Sequence, residues 1–544
     1  PDSIAETWTV PAGFGKPWPR LDHSNPLLTG SFHAPVAEVC RLRAKTRLEP
    51  RPGVYLYDLG QEIAGVPEIR LRGGAGTEVT LRYGEIRYPD LPEYAKNTGM
   101  ILTENYRDAE SIDRIILRGD PEGEIYRPRF TFHGFRYIEM TGVSDPPAPE
   151  EVEGIQLSSL PELTGSLETA DPLVNRFIEN VGWSQRCNFI SVPTDCPQRN
   201  ERMGWAGDTH VFCRTATYQA DTRLFYRRYL EALRDLQEEN GSLPDIAPMG
   251  GGFGGITYET AMIFIVWELY QQYGDPEIIR EFYDAMDRWM VYARAQGMPG
   301  EGFGLSLADW LAPEETDHAL MFNAFFFRAA DLMARMAEVL GRKEDAERFS
   351  AWAAETRDFW IGHFLDPETG ITRGMDGKPC DTQTSYALPV MFGLLNDQET
   401  KRASDHLNRV TGEKGNRVLT GFFGTGLLNP ALSAGGHVDT ACALIRQTAF
   451  PSWLYPVTQG ATTIWERWNS FTKENGFGGN NSMNSFNHYS LGSVLSWFYE
   501  TLLGIQRDES CPGYRHFILR PRFEGFGRVR GGFESPLGRI ESAW

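Results

Sequence analysis

Two periods of hydrophobic spacing divide the chain. Up to about residue 160, short runs alternate apolar and polar side chains, as in Val54 to Tyr57, Ile69 to Arg72 and Val79 to Tyr83, with the turn Gly73 to Gly76 between the last two. A period of two punctuated by glycine turns predicts antiparallel β structure, arranged as a sandwich. Further strands are expected over Ile115 to Leu117 and Phe135 to Met140, and Asp145 to Pro149 reads as a connecting stretch.

From about 170 the period lengthens. Leu173, Val174, Phe177, Ile178 and Val181 share one helical face, preceded by Asp171, which can cap the first turn, and Pro172, whose fixed φ suits the first helical position. Further helical stretches begin near 208, 222, 257, 276, 317, 343, 382, 397, 419, 434 and 488. With the first, these supply six helical hairpins. No fixed-period repeat accompanies them, so a closed toroid is preferred over an open solenoid. Inner helices of such a ring are buried on both sides and read apolar all round, as Ala261 to Leu269 and Ala324 to Phe327 do.

The last forty residues return to β character, with His516 to Leu519 and Gly531 to Phe533. The expected fold is therefore multidomain: a β-sandwich over residues 1–160, an (α/α)6 toroid over 161–505 and a C-terminal β domain, incomplete as read, over 506–544. The opening at Pro1 without Met and the end at Trp544 inside a strand-like run are read as trimmed ends, so the lack of a signal peptide decides nothing.

Composition narrows the function. Of the 544 residues 41% are hydrophobic and 23% charged, which excludes a disordered, collagenous or coiled-coil chain. The formal charge of −20 repels a phosphate backbone and excludes nucleic acid as the main partner. The seven cysteines are odd in number and form no Cys-x-x-Cys pair, so neither a disulfide framework nor a zinc knuckle is expected, and they read as buried thiols. No apolar run reaches the roughly 18 to 20 residues that cross a bilayer, so cytoplasm or periplasm is expected rather than a membrane. Aromatics at 12%, including 14 Trp, supply rings that fill cores and also stack on sugars.

Three segments carry candidate chemistry. Asp195 to Asp208 packs Asp195, Arg199, Glu201, Arg202, Trp205 and Asp208 into fourteen residues with a Pro and two Gly, which no ordinary surface helix tolerates. A solvated, salt-bridged turn accounts for the same residues, although Trp205 and the absence of Lys weigh against it. Glu466 lies between Trp465 and Trp468, and the plain alternative is a structural pair with Arg467. His488 opens the last helix, where a structural role competes with a catalytic one. Two carboxylates from distant parts of a chain, each beside Trp, suit glycosidic hydrolysis, in which one protonates the leaving oxygen and the other acts on the anomeric carbon or on a water. Asp195 and Asp208 would raise the pKa of Glu201 by like-charge repulsion while Arg199 and Arg202 lower it. Sequence spacing does not separate retention from inversion.

The runs Asp195 to Asp208 and Thr462 to Trp468, with Phe132 to Tyr137, Gly53 to Gly60 followed by Gly65, and Ser535 to Ile540, resemble the inverting bacterial α-L-rhamnosidases over nearly the whole chain. The resemblance implies that the toroid is the catalytic domain and the C-terminal part a β-sandwich, and that Glu201 is the general acid and Glu466 the general base. It implies that Asp195, Arg199 and Asp208 hold sugar hydroxyls, that Trp205 and Trp310 are aromatic walls, and that His488 lies near the reacting end. The implied reaction is release of terminal L-rhamnose from rhamnose-containing glycosides or oligosaccharides with inversion, without metal or organic cofactor, and a homodimer is kept in view. Two departures stand out. Gly250 to Ala261 replaces the family's Trp-Gly-Asp-Ala stretch, with the expected loss of one stacking ring and one polar contact, and Asn200 stands where many relatives have Asp. The alternatives are a polysaccharide lyase using Tyr258 or His488 as base, and a non-catalytic sugar-binding protein that has kept both glutamates.

Overall fold

The computed structural model describes residues 34–160, 162–300, 306–523 and 525–544. The part of the β-sandwich expectation that falls on residues 1–33 lies outside them. Eight antiparallel strands form one hydrogen-bonded network: β1 (Ala37–Arg43), β2 (Thr46–Arg51), β3 (Val54–Leu71), β4 (Glu78–Gly84), β5 (Ile112–Ile116), β6 (Glu124–Tyr126), β7 (His133–Thr141) and β8 (Val152–Ser158). The order is β1-β8-β3-β7-β4-β5, with β2 and β6 also on β3. The alternating runs at 54 and 69 belong to one strand. Between them, residues 61–67 are buried on both faces, so the polar half of the alternation vanishes. Gly65 pairs with Gln156, and a Cβ there would collide with the Ile155 carbonyl.

A strand β9 (Ser166–Thr169) precedes α1 (Pro172–Asn188), whose N-cap Asp171 accepts from the Leu173 and Val174 amides as the sequence expects. The short hairpin β10 (Phe189–Ile190) and β11 (Val192–Pro193) leads to α2 (Ala206–Gln219) and α3 (Arg223–Asp235). Then follow α4 (Ile256–Glu259), α5 (Ala261–Tyr273), α6 (Glu277–Ala295), α7 (His318–Val339), α8 (Lys343–Phe364), α9 (Gln383–Phe392), α10 (Asp397–Glu413), α11 (Phe422–Ala434), α12 (Val438–Arg446) and the single turn α13 (Leu454–Thr458). The final helix runs over 490–502, with a 3₁₀ start, one α turn, α14 (Leu495–Trp497), and a π end.

The inner helices close a ring: α2 packs on α5, α5 on α7, α7 on α9, α9 on α11, α11 on the final helix, and the final helix on α2. The helices α3, α6, α8, α10 and α12 lie outside them. The two apolar stretches singled out in the sequence belong to α5 and α7, both inner, and their side chains are buried all round except at Glu268. The helical middle is thus the expected six-hairpin toroid, between an N-terminal β-rich part and a small C-terminal β part. The latter pairs β12 (Ile505–Arg507) with β13 (Phe517–Leu519), and β14 (Val529–Ser535) with β15 (Gly538–Ala543) and with β9. Five of the seven cysteines are buried. Among the described residues no helix is long and apolar enough to cross a membrane.

Candidate active site

The loop between β11 and α2 is not helical because side chains and turns pin it. Asp195 Oδ1 accepts from the Met203 amide at 2.8 Å, and the Met203 carbonyl accepts from the Asp195 and Trp205 amides at 2.9 and 3.0 Å. Between them Arg202 adopts the left-handed region at φ 47°, a strain that its contacts must hold. Its guanidinium lies on the Phe132 ring, 5.0 Å from the centroid, and donates to the Phe132 carbonyl at 3.1 Å. Gly134 of β7 approaches the same loop so closely that a Cβ would stand 2.8 Å from Gln198 Cβ. The β-rich part therefore buttresses the loop that bears Glu201.

Arg199 is the centre of the site and is 1% exposed. Its Nη2 lies 2.7 Å from Glu201 Oε2 and 3.4 Å from Glu466 Oε1, and its Nη1 lies 3.1 Å from Glu466 Oε2. Asp195 Oδ2 follows at 3.8 Å. The two glutamates, from opposite ends of the helical ring in sequence, thus share one guanidinium. The Glu201 and Glu466 oxygens facing Nη2 are no farther apart than those two contacts laid end to end. The alternative pairing of Glu466 with Arg467 is not formed: Arg467 turns to Asn484 Oδ1, 3.2 Å from its Nε, and Glu466 turns to Arg199.

Glu201 is further held by Trp205, whose indole N–H donates to Oε1 at 2.9 Å, and by Arg107, whose Nη1 lies 3.1 Å from Oε2. Asp208, in the first turn of α2, accepts at Oδ1 from His488 Nε2 at 2.7 Å and from Ser490 Oγ at 2.8 Å. Burial works against the charge on His488, but Glu466 and Asp208 more than offset it and hold the imidazolium up to about 9. Burial and the charge of Glu201 push Asp195 up to about 7, against His488 and Arg199. His488 Nδ1 and Asp195 Oδ2 are buried without hydrogen-bond partners in the site. Such atoms in a cavity mark places for a polar ligand.

Trp310 is placed by its neighbour. Asp309 accepts from the amides of Gly421, Phe423 and Gly424 at 2.8, 2.9 and 2.9 Å, and from Thr384 Oγ1 at 2.5 Å, which ties the 309–311 loop to the first turn of α11. The eight residues picked from the sequence, polar Asp195, Arg199, Glu201, Asp208, Glu466 and His488 with the indoles of Trp205 and Trp310, all line one cavity of about 510 Å³.

Among the lining residues that sequence reasoning missed, three stand out. Arg107 comes from the β-rich part, at a left-handed φ of 58°, and also donates to the Ser482 carbonyl at 3.0 Å. Met483 lies beside it. Phe253 comes from the glycine-rich segment that was expected to lack a stacking ring. Its ring, 55% exposed at the cavity, stands edge-on to Trp205 at 5.4 Å, with Tyr258 behind at 5.7 Å. The segment thus brings a ring of its own to the cavity wall. Tyr258 also lines the cavity, but burial pushes its phenol well above its ordinary value, which does not suit a lyase base. Asp195, Cys196 and Glu201 offer ligand atoms within 4.8 Å of one another, but Arg199 already supplies the positive charge there and burial pushes the Cys196 thiol well up, so the set suits a guanidinium better than a metal ion.

Comparison with known proteins agrees along the chain. Residues 48–158 match the bacterial α-L-rhamnosidase concanavalin-like domain, 162–502 the six-hairpin glycosidase domain and 504–544 the C-terminal domain of the same proteins. An α-L-rhamnosidase of Streptomyces avermitilis is 37% identical over 100% of this chain and 52% of its own length, and one of an Alteromonas species 33% identical over 99% and 59%. The chain spans just over half the length of these curated relatives. Among solved structures, the Streptomyces avermitilis enzyme complexed with L-rhamnose matches at TM-score 0.87 and 37% identity, covering 94% of this chain and 48% of that one. The native Aspergillus terreus enzyme matches at 0.86 and 31%, covering 94% and 59%.

Proposed function

The chain belongs to the bacterial α-L-rhamnosidase family, and on that premise we propose that it hydrolyses terminal α-L-rhamnosides by a single inverting displacement. Glu201 donates a proton to the leaving oxygen and Glu466 activates the attacking water. The observation that carries the glycosidase reading is the meeting of Glu201 and Glu466 on Arg199 at the wall of one cavity, while the inverting course rests on the family and not on the separation of the two carboxyls. Arg199 acts as a spacer that fixes both carboxylates, so that neither has to be ordered when the sugar arrives. Asp195 and His488, each with a buried polar atom that has no hydrogen-bond partner among the described residues, line the cavity where sugar hydroxyls would bind, and Trp205, Trp310 and Phe253 offer the apolar faces on which a pyranose ring stacks. A terminal L-rhamnose as the sugar is supported by the L-rhamnose held by the Streptomyces avermitilis relative.

A panel of p-nitrophenyl glycosides, followed by NMR of the first anomer released, tests the reading. The α-L-rhamnoside is expected to be hydrolysed with β-L-rhamnose appearing first, and α-L-rhamnose first would replace inversion by retention. Glu201→Gln is expected to lose about 10²- to 10⁴-fold on rhamnosides with poor leaving groups and far less on activated aryl rhamnosides, which hardly need protonation. Glu466→Gln should lose similarly on both. Equal losses for Glu201→Gln on good and poor leaving groups would remove it from the acid role.

A further inference from the structure

Behind the active site lies a second pair of glutamates that the hydrolytic reading leaves unused. Glu62 sits in the middle of β3 and Glu85 directly follows β4, and both are buried. Glu62 Oε1 is buried with no donor among the described residues, and the Glu85 carboxyl is near enough to act on the Glu62 side chain. Glu62 Oε2 accepts from Thr463 Oγ1 at 3.0 Å, while Glu85 Oε1 accepts from the Phe486 amide at 3.2 Å and its Oε2 from Asn105 Nδ2 at 2.6 Å. The backbone of Glu62 also donates to Thr462 Oγ1 at 3.0 Å.

These contacts land on two segments that run side by side and bear the catalytic apparatus. The Glu466 amide donates to the Ser485 carbonyl at 3.0 Å, Thr463 Oγ1 also lies 2.6 Å from the Phe486 carbonyl, and the His488 amide donates to the Ile464 carbonyl at 2.8 Å. Glu62 therefore holds one segment three residues or so before Glu466, and Glu85 holds the other just before His488. Two carboxylates so near each other and away from water cannot both be ionised without strong repulsion, so the pair must keep a proton.

Resting on the reading of Glu466 as the base, we propose that Glu62 and Glu85 form a proton-sharing clamp, supplied by the β-rich part, that positions Glu466 and His488. Loss of the shared proton sets two like charges against each other, one anchored to Thr463 and one to Phe486, and loosens both segments. The clamp makes the catalytic geometry depend on pH through residues that touch no substrate.

The charged and titratable surroundings favour one retained proton. Arg136 on β7 acts on Glu62 but is itself bound to Asp58 at 2.8 Å, and Arg199 acts on Glu85 from the active-site side but is bound to Glu201 and Glu466. Tyr106 and the Cys187 thiol of α1 are the other titratable neighbours, and burial raises both. Asn105, Thr463 and Asn487 are neutral. Burial likewise raises the carboxyls of Glu62 and Glu85, and the charge on Glu62 raises Glu85 further.

The ring of Trp465 packs edge-on against Phe486 at 5.3 Å, so its share of the emission of the 14 Trp, read as the difference from a Trp465→Phe background, reports on the clamped segments without reference to activity. Emission and kcat are measured together from pH 6 to 10 for the wild type, Glu62→Gln and Glu85→Gln. A glutamine at either position supplies a permanent donor and leaves a single carboxyl. The wild type is expected to show a reversible alkaline transition in emission, with kcat falling alongside it and KM less affected. With the like charge removed the remaining carboxyl titrates lower, so both variants should lose that transition or move it down by about one pH unit or more. The titration of His488 is common to all three proteins and cancels in the comparison. Glu62→Ala should lower kcat about tenfold at neutral pH, with recovery in Glu62→Gln. Identical emission transitions in the three proteins, or none in the wild type, overturn the clamp. A shifted emission transition with an unshifted kcat overturns its positioning role. A wild type that cleaves no rhamnoside, yet keeps the emission difference, defeats the hydrolytic reading and leaves the clamp standing.

Discussion

Arg199 places a full positive charge where almost no water reaches, an arrangement that costs free energy unless carboxylates surround it. Asp195, Glu201 and Glu466 do so, and the same cluster holds a charged histidine. His488 carries its proton up to about 9, against about 6.5 for an unfolded imidazole. Its pairing with Asp208 and Glu466 therefore contributes stability that is fully present below the unfolded value and is lost as pH rises through the folded one. A gap of that size corresponds to a contribution on the order of 3 kcal/mol. His488→Gln should lower the denaturation midpoint most below pH 6.5 and progressively less towards pH 9 and above. A deficit independent of pH would show that the imidazole is neutral in the fold. The residue types in the sequence pointed to a cluster of this kind, but the choice between Arg199 and Arg467 as the partner of Glu466 was made by the backbone, which turns neighbouring side chains in different directions.

At the scale of elements, the local code was largely legible. Asp171 before Pro172 caps α1, and the onsets read near 343 and 397 coincide with α8 and α10. Misreadings arose where local spacing competes with burial on two sides. The 54 and 69 runs merge into β3, and the helix read from 488 starts at Ser490 with a 3₁₀ turn. Asp309 illustrates a cap that no local pattern predicts, because it serves α11 from a loop more than a hundred residues earlier. Asp309→Ala leaves three buried amides without acceptors and is expected to destabilise the protein by about 2–4 kcal/mol, read in a denaturant titration. With the loop released, KM should rise through loss of the Trp310 wall. An unchanged midpoint would mean that water or another acceptor replaces the carboxylate.

For the molecule as a whole, the active site is completed by the β-rich part as well as by the helical ring. Arg107 reaches Glu201 from a strained turn, and Gly134 and Phe132 support the loop behind it. Because Arg107 stands beside the proposed acid, Arg107→Ala is expected to lower kcat/KM about tenfold on rhamnosides with an extended aglycone and less on small aryl rhamnosides, with thermal stability little changed. The same loss on every substrate would place Arg107 with the sugar instead of the aglycone.

The sequence by itself determined the order of β-rich, helical and β-rich parts and the number of hairpins, and pointed to the three polar segments around 195–208, 466 and 488; the full set of eight cavity residues, Trp310 among them, came from the family resemblance. The parts, hairpins and segments follow from hydrophobic period, capping and local motif, which act over a few residues and survive without knowledge of the rest. Only the tertiary structure decided that Arg199 stands between the two glutamates, that the Phe253 ring lines the cavity, that Arg107 reaches Glu201 from the β-rich part, and that Glu62 and Glu85 contact segments about four hundred residues further on. Contacts of that kind depend on ring closure and on the docking of strands against loops, and the free energy that selects them comes from burying groups with no spacing in common along the chain.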